Sequence, residues 1–297
     1  MTEFLQSLSR GLGTGSLYAL LAVGFVIIYK STLVISFAQP ALMVAGAVAV
    51  TYLAVDFGLN FFVAVPIAVI ATAALGLVVE RVALRPMVGK PVFVIAIITL
   101  GVDIFIRVIV NRFIGLNVRQ VGDPWGLNVI DVGGVVIQQR YLAMVVTTAA
   151  VVAALFAFFK YSRIGLAMRA TAFDQETALA QGISVGTVFA LSWAIAGGLA
   201  ALAGTFLGTS AGIDQQTWLV ALKALPAIIL GGLDSIGGAV VGGLAVGVLE
   251  SLVGTYQGQY APWLGQNFAV VSPYVLMLLV LLVRPYGLFG TPEVERV

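Results

Sequence analysis

Long runs of apolar residues follow one another along this chain, and short segments between them hold most of the charges. A helix that crosses a bilayer needs about 20 apolar residues, so each long run predicts one spanning helix. No tract has the composition of a linker between domains. Six runs lie in the first two thirds, at residues 11–29, 33–55, 61–80, 92–111, 141–159 and 185–207.

The last third of the chain follows the pattern less regularly. Residues 219–232 suffice only for a short span or half-helix, and the glycine-rich segment 231–239 interrupts the apolar run. Apolar runs return at 240–254 and 267–283. We therefore predict an all-α polytopic membrane protein with eight or nine crossings, some broken or re-entrant, in a single transmembrane domain over residues 1–297.

Composition supports this class and excludes several functions. Hydrophobic residues make up 61% of the chain and charged residues 9%, against about 25% charged in soluble domains. The absence of cysteine and histidine excludes thiol and imidazole chemistry and argues against a bound metal. A net charge of +2 gives no reason to expect nucleic acid as a partner. The sequence therefore predicts no metal and no cofactor on this chain.

Basic residues in short loops predict the orientation in the membrane. Arginines and lysines concentrate in segments 81–90 and 160–169, and such clusters mark the cytoplasmic side. The loops at 56–60, 208–217 and 255–266 are then external, and residues 112–140 form the longest external loop. The segment 163–184 is predicted to be cytoplasmic.

That cytoplasmic segment contains the stretch GLAMRATAFDQETALAQGIS, residues 165–184, which is charged and rich in alanine. Asp174 is a natural N-cap, Glu176 lies in the first turn where the helix dipole favours negative charge, and Gly182 can end the helix in the left-handed conformation. We predict a capped helix over 175–181. It is either a connector lying on the membrane or a docking element for a soluble partner. Its surface offers small and apolar contacts at Phe173, Ala178, Leu179 and Ala180.

Polar residues inside apolar runs are candidates for a translocation path, because they are costly in a bilayer. The best candidate is Gln39, since Pro40 beside it predicts a helix interruption. Asp103 and Arg107 lie four residues apart, as in a helical ion pair, so they line the path or steady their helix. Glu250 ends an apolar run, and it faces the path, packs inside the protein or reaches toward the interface.

Glycines support other structural expectations. Asp234, within GGLDSIGG, suits a turn or a helix cap. Four glycine pairs with one-turn spacing predict close helix approach, within the chain or against a second membrane subunit: Gly11/Gly15, Gly204/Gly208, Gly238/Gly242 and Gly243/Gly247.

Several motifs together resemble the branched-chain amino acid ABC permease family nearly end to end. Glu176-Thr177-Ala178 followed by Gly182 is similar to the E-A-A-x-x-x-G loop of ABC importer permeases, with threonine replacing the first alanine. The other matching pieces are GSLYALLAVGFVIIYKSTLVISFAQPAL (15–42), LRPMVG (84–89), TLGVDIF (99–105), RIGLAMRATAFDQETALAQGIS (163–184), AIILGGLDSIGGAVVGGLAVGVLES (227–251) and VRPYGLFG (283–290).

The resemblance implies an ABC importer permease fold in the bacterial inner (plasma) membrane. It implies a second homologous permease, two cytoplasmic ATPases that bind ATP and magnesium, and an extracytoplasmic solute-binding protein. Residues 165–183 would form the helix that couples to an ATPase, with contacts from Arg169, Asp174, Glu176, Ala178 and Gly182. The family mechanism is alternating access, with specificity residing largely in the binding protein.

Two departures leave the substrate open. Many members carry His-Gly or Gln-Gly where this chain has Gln39-Pro40, and Asp103 stands where a small or neutral polar residue is commoner. The cargo is a leucine-type amino acid, urea or a short amide, or another small carboxylate or apolar compound. An ion-coupled secondary transporter is the alternative of another class, although it leaves the Glu176–Gly182 pattern unexplained. A membrane-embedded enzyme is disfavoured, since the carboxylates show no paired spacing. No phosphate-binding G-x-x-x-x-G-K-[ST] loop occurs, so the chain is not expected to hydrolyse ATP.

Overall fold

The computed structural model describes residues 2–87, 90–265 and 267–291, and it is helical over most of that length. The only strands among these residues, β1 (Val129–Val132) and β2 (Val135–Gln138), form an antiparallel hairpin. The α-helices are α1 (Thr2–Thr32), α2 (Gln39–Thr51), α3 (Phe61–Val79), α4 (Val92–Ile114), α5 (Gln139–Tyr161), α6 (Arg163–Phe173), α7 (Gln175–Ala180), α8 (Val185–Ala211), α9 (Ala224–Gly231), α10 (Ile236–Tyr260) and α11 (Phe268–Val283). π-Helical turns extend α2 over Tyr52–Asp56 and α3 over Glu80–Leu84, and 3₁₀ segments lie at Arg85–Met87, Thr217–Lys223 and Pro262–Leu264.

Seven helical segments in the described part of the chain are long and apolar enough to cross a membrane. Two shorter apolar segments, Thr217–Gly231 and Phe268–Val283, accompany them. The predicted polytopic all-α fold is confirmed, with seven long spans and two short segments where eight or nine crossings were expected. The long segments are Thr2–Thr32, Gln39–Asp56, Phe61–Met87, Phe93–Ile114, Gln139–Tyr161, Val185–Ala211 and Ile236–Tyr260.

Two compact units contain these elements. The first draws on the described residues within 1–26, 125–148 and 222–297, and in it α10 packs against α9 and α11. The second draws on those within 27–124 and 149–221, where α2 and α3 pack on α8 and α2 also contacts α4. The single permease domain over the whole chain stays a prediction.

The predicted glycine pairs permit close helix contacts inside each unit. A Cβ atom on Gly247 would lie 2.2 Å from the backbone nitrogen of Gly15, so α10 touches α1 there almost backbone to backbone. A Cβ atom on Gly204 would lie 2.1 Å from the carbonyl oxygen of Met43. Small residues allow such approach in lipid. Close packing within the chain is confirmed, and contact with a second subunit stays a prediction.

The segment after α11 folds back onto the end of α9. The backbone N–H groups of Leu288 and Phe289 donate hydrogen bonds at 2.9 and 3.1 Å to the last carbonyls of α9. The Asp234 carboxylate lies in the turn after α9 and accepts a 3.3 Å bond from the backbone N–H of Thr291. The predicted turn position of Asp234 is confirmed, whereas the cap of α10 is Ser235, which accepts from the backbone of Gly238. Two motifs far apart in sequence thus form one packed corner.

Candidate functional site

Residues 163–184 form two consecutive helices, α6 and α7, joined at Asp174. The resemblance predicted one coupling helix over 165–183, but Asp174 adopts an extended conformation (φ −157°, ψ 114°) that ends α6 and starts α7. The predicted helix over 175–181 is present as Gln175–Ala180, with Gln181 as its C-cap. The chain therefore presents a helix–corner–helix at this position.

The predicted N-cap of α7 is confirmed in detail. One carboxylate oxygen of Asp174 accepts from the backbone N–H groups of Glu176 and Thr177 at 2.9 and 3.0 Å. The other accepts from the Thr177 hydroxyl at 2.6 Å. The Thr177 hydroxyl, followed by these amides, holds the pKa of Asp174 below its usual value, because the bonds favour the ionised carboxylate. Asp174 is thus fixed as a helix cap and carries its charge at neutral pH.

The predicted end of α7 is confirmed as well. Gly182 has φ +81°, in the left-handed region that favours glycine. Its N–H donates to the carbonyl of Leu179 at 2.9 Å, and the N–H of Ile183 donates to Ala178 at 3.0 Å. These are the paired bonds of a Schellman motif. Described atoms leave open space within 4 Å of a Cβ at Gly182, so that face of the loop is uncovered.

The outer surface of α6 and α7 combines charge with exposed apolar side chains. Phe173 is 95% exposed and Leu179 58% exposed, so both offer apolar surface to a lipid or protein that covers it. Arg169 and Glu176 are exposed beside them. Ala178 was expected on the helix surface, and that expectation is wrong: the side chain is 3% exposed and faces the protein's own interior.

A hydrogen bond ties this segment to the end of α1. The side-chain nitrogen of Gln175, the first residue of α7, donates to the carbonyl of Ser31 at 3.0 Å. Two residues later Leu33 has φ +57°, and the chain stays non-helical until Gln39. Sequence reasoning missed Gln175, because a glutamine in a charged helix gives no signal of a contact with a distant carbonyl.

Gln39 and Pro40 lie at the start of α2, directly after this break. The interruption predicted near residue 39 is therefore present, although it covers residues 33–38 and Pro40 occupies the first turn of a helix, where its missing N–H is tolerated. Gln39 is fully buried. Its amide nitrogen donates to the carbonyl of Ala196 at 3.1 Å, while its oxygen has no partner among the described residues.

Asp103 lies beside the same break. One carboxylate oxygen accepts from the backbone N–H of Ala41 at 3.1 Å, and the other accepts from Arg107 at 2.7 Å. Arg107 stacks over the ring of Trp218, 4.0 Å from its centroid. The predicted Asp103–Arg107 pair is confirmed. The capping of α2 by a residue of α4 was not predicted.

Glu250 belongs to the first unit and lies inside α10, which continues to Tyr260. It accepts a 2.7 Å hydrogen bond from the Tyr18 hydroxyl and forms an ion pair with Lys223. The Glu250 side chain is 19% exposed. Glu250 therefore packs between two side chains of its own unit, and its role in the path stays a prediction. Lys223, the last residue of the 3₁₀ helix Thr217–Lys223, was missed. The available signal was a cation within the predicted short span 219–232.

A cavity of about 470 Å³ lies in the second unit against residues of α6 and α7, and we name it the α6–α7 cavity. Most of its charged groups are exposed, whereas most of its hydroxyl and aromatic groups and the carboxylate of Glu80 are buried. Within the described part of the chain, no three His, Cys, Asp or Glu residues are placed to hold a metal ion. The main lining residues are Lys30, Ser36, Glu80, Lys90, Thr99, Asp174, Glu176, Phe189 and Trp193.

Three of the loops predicted to be external meet at one end of the second unit. Arg119 forms an ion pair with Asp56 at 2.7 Å and exchanges backbone hydrogen bonds with Ile213. Gln215 donates from its side chain to the carbonyl of Gly115 at 2.8 Å. These contacts agree with a common side for the three loops, and which side of the membrane that is stays a prediction.

Comparison with known proteins identifies the family. The family model described as the permease component of branched-chain amino acid transport systems matches residues 7–282. The chain is 34% identical to the high-affinity branched-chain amino acid transport system permease protein BraD of Pseudomonas aeruginosa. It is 33% identical to the corresponding protein LivH of Escherichia coli, and each alignment covers 99% of this chain and 98% of the relative.

A solved structure supports the fold. The structure of PsaBC from Streptococcus pneumoniae in complex with Fab superposes with a TM-score of 0.50, covering 93% of this chain and 89% of that chain at 16% identity. Identity at this level indicates a shared fold alone. The match of the family model to residues 7–282, together with these relatives, shows that the chain belongs to the permease components of branched-chain amino acid transport systems.

Proposed function

We propose that this chain is the membrane-spanning subunit of an ATP-driven importer for branched-chain or related amino acids. The observation that carries the proposal is the 33–34% identity over 99% of the chain to permeases named for that transport. A second, homologous permease encloses the path with it, two cytoplasmic ATPases bind ATP and magnesium, and a solute-binding protein delivers the amino acid from outside. The complex resides in the bacterial inner membrane.

The α6–α7 segment is the proposed contact with an ATPase. It supplies charged and apolar side chains at Arg169, Phe173 and Glu176 on a rigid, doubly capped support. Asp174 and Gly182 fix the two ends of α7. Ala178 supports the helix from inside, since it is buried. Because Gln175 is hydrogen-bonded to Ser31 near the end of α1, a movement of α7 also displaces that end of α1. The non-helical residues 33–38 connect it to Gln39 at the start of α2.

The proposed path passes the polar groups at the break, which are Gln39, Pro40 and Asp103. A buried amide oxygen without a partner is a group that a passing polar solute can satisfy. Glu250 stays a path candidate of the first unit, held in place by Lys223 and Tyr18. This chain binds no cofactor in the proposed mechanism, because ATP hydrolysis takes place on the ATPases.

Uptake by the reconstituted complex tests the function. The permease is co-expressed with its partner subunits, placed in liposomes with ATP on the ATPase side, and supplied with the binding protein. We expect ATP-dependent uptake of L-leucine, L-isoleucine or L-valine. Uptake of urea or acetamide instead would assign the alternative substrate class. Solute movement without ATPase subunits, driven by an ion gradient, would favour a secondary transporter.

A further inference from the structure

The α6–α7 cavity has two chemically different ends. At the exposed end Lys90, Asp174 and Glu176 provide charges of both signs, and Lys30 adds a half-buried ammonium. Within the described residues neither lysine forms an ion pair. Asp174 is already committed to capping α7. The charges at this end are therefore the two ammonium groups of the lysines and the carboxylates of Asp174 and Glu176, a combination suited to a small zwitterion.

The buried end is apolar and aromatic, with two hydroxyl groups. Phe189 and Trp193 form one wall at 8% and 1% exposure. Ser36 and Thr99 lie at the same end, each with its hydroxyl oxygen accepting from the non-helical backbone just before Gln39. The carboxylate of Glu80 is neutralised by Arg85 at 3.2 Å, so it adds little charge here. An apolar side chain is stabilised by burial against such walls.

The cavity also has a size and position suited to a ligand. Its volume of about 470 Å³ falls within the roughly 300–1,000 Å³ of small-molecule pockets. It extends from the proposed coupling segment, at Asp174 and Glu176, to the hydroxyl groups of Ser36 and Thr99 beside the non-helical segment that precedes α2. A ligand bound there contacts both the α6–α7 segment, which is the proposed contact with an ATPase, and the non-helical segment that precedes α2.

We propose that the α6–α7 cavity is a binding chamber for a free amino acid with an apolar side chain, on the membrane side that carries α6 and α7. The ligand carboxylate lies near Lys30 and Lys90 and its ammonium group near Glu176. Its side chain lies against Phe189 and Trp193. This inference rests on the proposed function, and it adds a site of defined chemistry on the side where the transported amino acid is released.

Protection of a single introduced cysteine tests the chamber, because the chain has no cysteine of its own. The purified complex in detergent carries Ser36→Cys, and its rate of labelling by N-ethylmaleimide is measured with and without L-leucine. We expect L-leucine to slow labelling several-fold. Thr32→Cys, at a half-buried lining position, provides a second reporter that keeps the test decisive if the first position reacts poorly.

Matched serine variants control for accessibility. Ser210→Cys lies at the exposed end of α8, away from the cavity, and should react at the same rate with and without L-leucine. Ser192→Cys replaces a fully buried serine that does not line the cavity and should react slowly throughout. Slowing of Ser210→Cys by L-leucine would indicate a general change of the complex and would overturn the assignment to the cavity.

A charge variant tests the chemistry of the chamber. Lys30→Gln should raise the L-leucine concentration for half protection roughly tenfold, as expected for loss of one charge-assisted contact. Lys160→Gln, at the end of α5 and outside the cavity, should leave it unchanged. Unprotected reporters in a complex that transports L-leucine would overturn the chamber alone. A complex that transports urea and neither transports nor is protected by L-leucine would overturn the proposed function and the chamber together.

Discussion

The carboxylate of Asp103 on α4 accepts a hydrogen bond from the backbone N–H of Ala41, in the first turn of α2, at 3.1 Å. The first turn of a helix has N–H groups without partners inside the helix, and Asp103 supplies one partner together with a negative charge at the positive end of the helix dipole. Arg107 neutralises the same carboxylate from the other side. Asp103 therefore connects α4 to the start of α2, in addition to pairing with Arg107.

Asp103→Ala should destabilise the protein by about 1–3 kcal/mol, because it leaves the Ala41 N–H and the Arg107 guanidinium without their partner. Asp103→Asn should cost less, since the amide oxygen still accepts from Ala41. Thermal unfolding of the purified chain in detergent measures the difference. Asp131→Ala, on the exposed β-hairpin, is the control: it loses one exposed hydrogen bond, from the Gly134 N–H, and should destabilise the protein less than Asp103→Ala. Equal stability of Asp103→Ala and the wild type would contradict the structural role of Asp103.

Gln39→Leu should reduce amino acid uptake while leaving assembly with the ATPases intact. The substitution removes the hydrogen bond to Ala196 and also the buried oxygen that lacks a partner. Each effect is worth about 1 kcal/mol and their signs are opposite, so stability should change little. Uptake into proteoliposomes and co-purification are measured side by side. Gln138→Leu in the hairpin serves as the control, and normal uptake by Gln39→Leu would assign Gln39 to packing alone.

Gly182→Val should weaken binding of the ATPase without preventing membrane insertion. A β-branched residue resists the φ of +81° found at Gly182, at about 1–2 kcal/mol for the backbone alone. Its side chain also enters the open space where the partner is proposed to lie. Gly182→Asn should be milder, since asparagine tolerates this conformation. Glu176→Ala should be milder too, because it removes one exposed charge.

Co-purification of the ATPases and ATP turnover of the complex measure the effect of these variants. Gly258→Val is the matched control, because Gly258 lies in α10 with open space around it and no left-handed backbone. If Gly182→Val retains wild-type binding and turnover, the α6–α7 segment is only a connector between α5 and α8.

Membrane orientation predicts opposite labelling of two single-cysteine variants. In intact cells an impermeant thiol reagent should label Asn128→Cys, in the longest external loop, and leave Ala180→Cys on α7 unlabelled. Inverted vesicles should give the reverse pattern. Labelling of Ala180→Cys from outside would contradict the cytoplasmic placement of segment 163–184 and, with it, the proposed contact with an ATPase.

The sequence determined the features that depend on local order along the chain. Apolar run length predicted the spanning helices, since a bilayer sets the length of a helix that crosses it. The cap of α7 at Asp174 and its end at Gly182 were predictable because both ends use bonds within a few residues. The Asp103–Arg107 pair follows from the same principle, since four residues span about one helical turn.

The relations between distant segments depend on packing in three dimensions. No pattern indicates that Asp103 caps α2, that Gln175 reaches Ser31, or that Lys223 pairs with Glu250. The inward position of Ala178 was missed for the same reason, because an alanine suits a surface and an interior equally well. The cavity behind the coupling segment depends on packing, because its lining residues come from α1, α4, α6, α7 and α8 and from the segment that follows α3. Helix periodicity fixes which residues share a face, and only packing in three dimensions fixes what that face meets.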